Sequence, residues 1–364
     1  MSAQRKHMSL ILFAAALFAV DSSCSGEKPF RKSTYVMGTR ASVSIYGMKK
    51  EQAERVSGEA LHVLHRLERM MSTWNPESDL SRLNSAPGGV PVQLPGELID
   101  LIDTAKQFSS LTSGAFDITA RPLSRLWGFQ EGPDSIPSAE SIADVMQRVG
   151  FEKIMIDSSG VTLPPGTEID LAGIAKGYAV DRCAGILREE GVTSALIDLG
   201  GNMYAIGSPP GKRGWAVGIR NPVITDSIIG YIILRNEAVA TSGNYENFVE
   251  IGGEDFGHIM DPRTGRPVSG SMRGVTVIAP TATAADALST SLFILGPEKG
   301  TSLCGNISIS DPPDSLPYLK ETAREGYLRR TGNYADAVFV TARDHVIHYH
   351  KTGNLTGKLF LDEE

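Results

Sequence analysis

Asp286 and Thr290 stand four residues apart in ThrAlaThrAlaAlaAspAlaLeuSerThrSer (281–291), a run that predicts a helix. Positions i and i+4 share a helix face, so one carboxylate and one hydroxyl point the same way. Two hard oxygen donors on one rigid element form half of a magnesium site, of the kind that leaves room for waters and phosphate. The same letters carry a second reading. Thr283 and Asp286 also fit a capping box, with an acid in the first turn favoured by the helix dipole. The segment by itself leaves both open.

A second stretch, IleAspLeuAlaGlyIleAlaLysGlyTyrAlaValAsp (169–181), lies more than a hundred residues upstream. Asp170 and Gly173 precede a helix predicted to run to about Glu190, with Ile174, Val180, Ile186 and Leu187 at core positions. A Gly-flanked helix start presents backbone N–H groups, and Lys176 adds a point charge beside them, a pairing suited to a phosphate-bearing anion. Neither the GxxxxGK[ST] loop nor the GxGxxG turn is present. A surface lysine at an ordinary helix start is the plainer alternative.

The elements that must position these groups follow from periodicity. Tyr35 to Tyr46 predicts a strand pair or bent strand around Gly38. Ala53, Val56, Ala60, Leu64, Leu67 and Met71 recur at helical spacing between Lys49 and about Ser72. Residues 96–112 predict another helix, opened by Pro95–Gly96 and closed at Gly114, and 138–149 a third with Ser138 or Ser141 as cap. From Phe151 the pattern changes to strands at 151–157, 195–199, 215–220, 231–235 and 275–278, separated by Gly, Asn and Pro turns. Phe248–Ile251 and Phe256–Ile259 around Gly252–Gly253 predict a hairpin. The fold class is α+β, with helices early and mainly antiparallel strands in the second half.

Composition bounds the possibilities. The chain has 364 residues, 41% apolar and 21% charged, enough for a large core and typical of a globular protein. Its net charge is −7 with no basic stripe, which argues against nucleic acid as a partner. Arg5 and Lys6 precede an apolar run from Met8 to Val20, too short for an ordinary spanning helix and right for a secretory signal at 1–23. Ser22, Ser23 and Cys24 resemble the end of a bacterial lipobox, although Asp21 departs from the apolar residue usual at its start. Cys24 would then carry lipid, 24–33 would be a linker, and the chain would sit at the periplasmic side of a membrane. Cys183 and Cys304 fit either a disulfide or two buried thiols. No CxxC pair or Cys/His cluster exists for zinc or thiol redox chemistry.

Five segments in order resemble the ApbE family of FAD:protein FMN transferases. They are MetGlyThr (37–39), SerThrTrpAsnProGluSerAspLeuSerArgLeuAsn (72–84), SerGlyAlaPheAspIle (113–118), the 169–181 stretch, and HisIleMetAspProArgThrGlyArgPro (258–267). The Asp286/Thr290 helix closes the set. The resemblance covers most of residues 33–296 and implies a T-fold-like domain over 34–364; the Pro-, Gly- and charge-rich stretch 302–336 reads as a loop-containing insertion. It implies that a magnesium ion is held by Asp286, Thr290 and the carbonyl of Gly173, and that FAD is split so that FMN joins a Ser or Thr of an exported redox protein. Asp170, Lys176, Met37, Ile259 and the Ala115–Phe116–Asp117 turn would hold the nucleotide. Trp74 stands where the family commonly has an aromatic, often Tyr, against the flavin. A Trp there keeps the stacking surface and drops the phenolic hydroxyl.

Attack on a pyrophosphate phosphorus also needs a base. His258 is the best candidate, since a neutral imidazole accepts protons near pH 7; spacing alone fits a solvent-facing histidine at a strand end equally well. Asp261 precedes Pro262 and a ThrGly pair, which favours a turn. Tyr245, in a turn-rich loop at 241–247, either lines the cleft or merely connects strands. His345, His348 and His350 alternate along an edge-strand pattern more than they form a metal cluster.

Three functions follow. The chain transfers FMN to acceptors carrying an Asp-x-x-Ser/Thr-Gly-Ala-Ser/Thr site; or it is a magnesium-dependent FAD pyrophosphatase giving FMN and AMP; or it binds flavin as a lipoprotein without catalysis. Its own SerLeuThrSerGlyAla (110–115) has Ser110 for the acceptor's Asp and Phe116 at the last position, so self-flavinylation is not expected.

Overall fold

Of the strand pair or bent strand expected around Gly38, the strand pair forms. The computed structural model describes residues 28–129, 135–224, 226–244, 248–251, 254–306, 335–343, 346–353, 355 and 357–361. Strand β1 (Phe30–Val36) turns through Met37 and Gly38 into β2 (Thr39–Ile45). Both turn residues have positive φ, 50° and 73°, as a two-residue type I′ turn requires. Helix α1 (Lys50–Met71) then buries the stripe its spacing predicted, Ala53 through Met71. Helices α2 (Asp79–Asn84), α3 (Gly96–Leu111), α4 (Arg121–Leu126) and α5 (Ala139–Met146) follow. Ser138 caps α5 by accepting the Ser141 N–H at 3.1 Å.

After a small hairpin, β3 (Met155–Asp157) and β4 (Gly160–Thr162), comes α6 (Ala175–Glu189). Strands β5 (Ala195–Leu199), β6 (Asn202–Ile206), β7 (Trp215–Arg220), β8 (Ile228–Leu234) and β9 (Glu237–Gly243) succeed it. Two short hairpins pair β10 (Phe248–Ile251) with β11 (Glu254–Gly257), and β12 (Met260–Asp261) with β13 (Arg266–Pro267). Strand β14 (Met272–Ala279) leads into α7 (Ala282–Asn306), which is broken at Gly296 ahead of Pro297. Strands β15 (Asp336–Arg343), β16 (Val346–Lys351) and β17 (Leu359–Leu361) complete the described elements.

Among the described residues eight strands make one antiparallel sheet, in the order β1-β2-β5-β6-β9-β14-β15-β16. Helices α1, α6 and α7 cover one face; the small sheet β17-β8-β7 covers the other. Side-chain alternation divides the strands between two cores. In β15, Ala337 and Phe339 join the helix side while Val338 and Val340 join the sheet side. A satellite cluster around Trp127, Ile142, Val145 and Met260 lies under α4 and α5.

The structure corrects several boundaries. Residues 30–33, read as linker, are the first four of β1, a half-exposed edge strand whose polar alternation hides it. Residues 302–306, read as insertion, finish α7 and bury Cys304; Asp336 already opens β15. The remainder, 307–334, lies outside the described residues, as do residues 1–23 (read above as a secretory signal), Cys24, Tyr245 and His345. Cys183 and Cys304 are both free and buried, and burial pushes each thiol up to about 12.

Candidate active site

Helices α6 and α7 meet closely at Gly177. A Cβ there would lie 2.2 Å from the Ala282 carbonyl oxygen and 2.7 Å from Asp286 Cβ, so only glycine lets the helices approach this far. The approach sets the Asp286 carboxylate against the first turn of α6, where Oδ2 accepts the Gly177 N–H at 2.8 Å. In return, Asp181 of α6 accepts the Ala282 and Thr283 N–H groups, each at 2.8 Å, and the Thr283 hydroxyl at 2.6 Å. The Thr281 hydroxyl oxygen accepts the Ala284 N–H at 3.2 Å. The capping box of Thr283 with Asp286 therefore does not form. Thr281 and Asp181 cap α7, and Asp286 serves α6.

Asp286 is 5% exposed. Burial pushes its carboxyl above the usual range, while the Lys176 charge, the Gly177 amide and a hydrogen bond from the Asn202 side chain pull it back. One turn along α7, the Thr290 hydroxyl lies beside Gly173: a Cβ on that glycine would sit 3.3 Å from Oγ1 and 3.1 Å from the Phe116 ring. The Ser289 and Ser291 hydroxyls donate back to the carbonyls of Asp286 and Ala287, at 2.9 and 2.7 Å. Thr290, one residue from each, makes no such bond among the described residues. Gly173, Lys176, Asp286 and Thr290 are thus brought together, with Phe116 packed beside them.

This donor set fits a hard cation. It offers one carboxylate, one hydroxyl and backbone carbonyl oxygen, and the Oδ1 of Asn202, the side chain that helps to hold the Asp286 carboxyl down, is buried without a hydrogen-bond partner. Among the described residues no group of three or more His, Cys, Asp or Glu side chains could hold a metal. A site with few protein ligands suits magnesium, which keeps waters and takes phosphate oxygens.

The nucleotide candidates are held by a network that sequence reasoning missed. Arg121 is 9% exposed; its guanidinium reaches Glu168 at 3.2 Å, Asp170 at 3.3 Å and the Thr73 carbonyl at 3.4 Å. Asp170 also accepts the Ala172 N–H at 2.8 Å. The Ser72 hydroxyl oxygen accepts the Trp74 and Asn75 N–H groups, which fixes the backbone while the Trp74 side chain stays 74% exposed. A large apolar ring presented from a pinned loop is a ready stacking surface. Met37 donates its N–H to Glu68 at 2.7 Å.

Ala115 and Phe116 are buried. The Asp117 oxygens are committed to Thr119 (2.8 and 2.7 Å) and to the Phe151 N–H (2.9 Å), so this turn would meet a ligand through its backbone. His258 is half-buried in the bend after β11. Ile259 places its side chain in the core and accepts the Val268 N–H at 2.9 Å, so it too offers backbone. The Asp261 carboxylate takes the Arg263 N–H and guanidinium at 2.8–3.0 Å, and its carbonyl accepts from Gly265 at 2.9 Å, the turn role expected of it. Gly114 abuts Arg263, which joins the 113–117 turn to the segment carrying His258.

The pattern of the ApbE family matches residues 37–309, most of the chain. The chain belongs to the ApbE family. It is 33% identical over 313 residues to the FAD:protein FMN transferase of Klebsiella pneumoniae, covering 80% of this chain and 89% of that protein. To the enzyme of the same name from Escherichia coli it is 32% identical over 306 residues, covering 79% and 86%. The crystal structure of the flavinyl transferase ApbE of Pseudomonas stutzeri, in its apo form, superposes with a TM-score of 0.73 at 30% identity, covering 89% of this chain and 95% of that one. The Asp286 group, Arg121, Asp181 and Asn202 all fall inside the ApbE match, while β15, β16 and β17 fall beyond it.

Proposed function

We propose that this chain transfers FMN from FAD to the hydroxyl of a Ser or Thr in an acceptor protein, releasing AMP. Membership of the ApbE family makes it a flavin transferase, and the observation that supports the finer reading is the α6–α7 crossing. That crossing sets an oxygen donor group beside Lys176 and a helix N-terminus, where a diphosphate is favoured. Asp286, Thr290 and the Gly173 carbonyl would hold magnesium, which when bound neutralises charge on the bridging and non-bridging diphosphate oxygens.

The protein's own groups do the rest. Lys176 faces the anion, and the exposed Trp74 indole stacks on the isoalloxazine. Arg121 keeps Asp170 and the Trp74 loop in place. The acceptor oxygen bonds to the FMN phosphorus as the phosphorus bond to the bridging oxygen breaks. AMP leaves with that oxygen, and the acceptor's proton passes to His258. Water in place of the acceptor hydroxyl would give FMN and AMP. From the leader at 1–23 and Cys24 we place the reaction at the periplasmic side of a membrane.

The test is to incubate the purified chain with FAD, Mg²⁺ and a domain carrying the Asp-x-x-Ser/Thr-Gly-Ala-Ser/Thr site. Flavin fluorescence that stays with the denatured acceptor is the expected result. AMP without protein-bound flavin would make the chain a pyrophosphatase, and neither product would make it a binder. Asp286→Ala should lose all turnover, because among the described residues no other carboxylate joins Thr290 and Gly173 as the anionic ligand.

A further inference from the structure

Asn202 opens β6, directly after the Gly200–Gly201 turn that joins it to β5. That turn is fixed on both sides: the Asp198 carboxylate accepts the Gly201 N–H at 2.9 Å, and the Arg40 backbone carbonyl in β2 accepts the Gly200 N–H at 3.1 Å. The side chain is 5% exposed on a strand that packs against α7, and it helps to hold the Asp286 carboxyl down although 84 residues separate them. A carboxylate only accepts here, so the Asn202 amide nitrogen is the donor and Oδ1 is the atom left over. That Oδ1 is buried with no partner. A buried acceptor without a donor is costly to fold around unless a ligand or a bound water completes it.

We propose that Asn202 is a positioning residue of the cation site. Its amide N–H holds the Asp286 carboxylate in place, and its Oδ1 accepts a hydrogen bond from a water carried on the cation. An aspartate at 202 could not do both, since it would set a second buried carboxylate against Asp286 and offer it no donor. A hydrophobic residue would remove the donor and the acceptor together. This inference rests on the metal reading above and extends it by one residue that touches neither phosphorus nor flavin.

The test uses Mn²⁺ titrated into the full chain, without nucleotide and with ADP as a diphosphate probe. Free ion is read by electron paramagnetic resonance and metal-bound water by proton relaxation. Asn202→Ala and Asn202→Leu should each weaken Mn²⁺ binding about 10–100-fold, the usual effect of losing an outer-shell partner. ADP affinity measured without metal should stay unchanged. Thermal unfolding is followed in parallel. Variants that lose stability but keep wild-type Mn²⁺ affinity would show Asn202 to be merely structural and overturn the proposal. If Asp286→Ala loses Mn²⁺ while both Asn202 variants retain it, the metal reading stands and this one fails. If the wild-type chain takes up no Mn²⁺ with or without ADP, both fail together.

Discussion

Asp181 on α6 and Asp286 on α7 each cap the other's helix. Asp181 receives the first amides of α7, and Asp286 receives the Gly177 amide in the first turn of α6. Helix starts leave four N–H groups without partners, and these two helices satisfy theirs from each other where the local sequence supplies few acceptors. Each carboxylate also sits at the positive end of the helix it caps, a favourable place for a buried anion. The exchange fixes the two helices to each other at the level of Asp286 and Thr290, so the candidate cation site inherits its geometry from a capping arrangement.

Asp181 should therefore leave a signature in stability against pH. It is fully buried, and its carboxyl is pushed from 3.8 up to about 6, mainly by desolvation. A raised pKa means that the folded chain holds the proton more tightly than the unfolded one. Its contribution is then fully present below about pH 4 and is lost as pH rises through 6. The span corresponds to about 3 kcal/mol. Urea unfolding of the wild type and Asp181→Asn at steps from pH 4 to 7 should give a curve that descends more steeply for the wild type. Parallel curves would show that Asp181 does not titrate in this range.

Gly177→Ala should separate the two helices. The added methyl meets a backbone carbonyl that cannot turn aside, and overpacking of this kind costs about 1–3 kcal/mol. Flavin transfer should fall further than stability alone explains, because Asp286 and Thr290 move with α7. Gly185→Ala on the same helix is the control. Its Cβ would enter open space, and removing a mid-helix glycine should stabilise by about 0.5–1 kcal/mol. Melting temperatures that shift alike for both variants would refute the close-contact explanation.

What could be read in advance follows the range of each interaction. The α1 stripe and the strands at 195–199 and 215–220 are local patterns, and they were legible. Strand β9, GluAlaValAlaThrSerGly, packs against neighbours on both faces and so lacks the alternation that betrays a strand. Asp286 and Thr290 could be paired from their spacing, but their partners could not: Asp181 lies about a hundred residues from the amides it caps. Asn202 in GlyGlyAsn reads as a turn residue, and only the fold places it on Asp286. Arg121 is one arginine among many until its contacts, 47–49 residues away in both directions, are known.

Arg121 gives the third expectation. It ties Asp170 to the carbonyl next to Trp74, so it links the carboxylate proposed to hold the nucleotide to the ring proposed to stack on the flavin. Arg121→Met should weaken FAD binding about 10–100-fold, the scale of a lost charge-assisted hydrogen bond. Arg121→Lys should rescue little, since a single ammonium cannot span three acceptors in the plane of a guanidinium fork. Quenching of flavin fluorescence on titration gives the affinity directly. Wild-type affinity in Arg121→Met would mean that the Trp74 loop and Asp170 hold their places independently.

His258 separates chemistry from binding. It follows β11 in a half-buried bend, and the turn from Asp261 to Gly265 beyond it is braced by the Asp261–Arg263 pair against the 113–117 turn. That bracing gives a base a fixed place without requiring its ring to bear on the nucleotide. His258→Ala should then cut transfer to an acceptor about 10²–10⁴-fold, the range for a lost general base, with FAD affinity retained. Stopped-flow transfer at saturating FAD, set beside a binding titration, distinguishes the roles. If affinity falls as far as rate, His258 holds FAD, and the acceptor's proton must leave by another group.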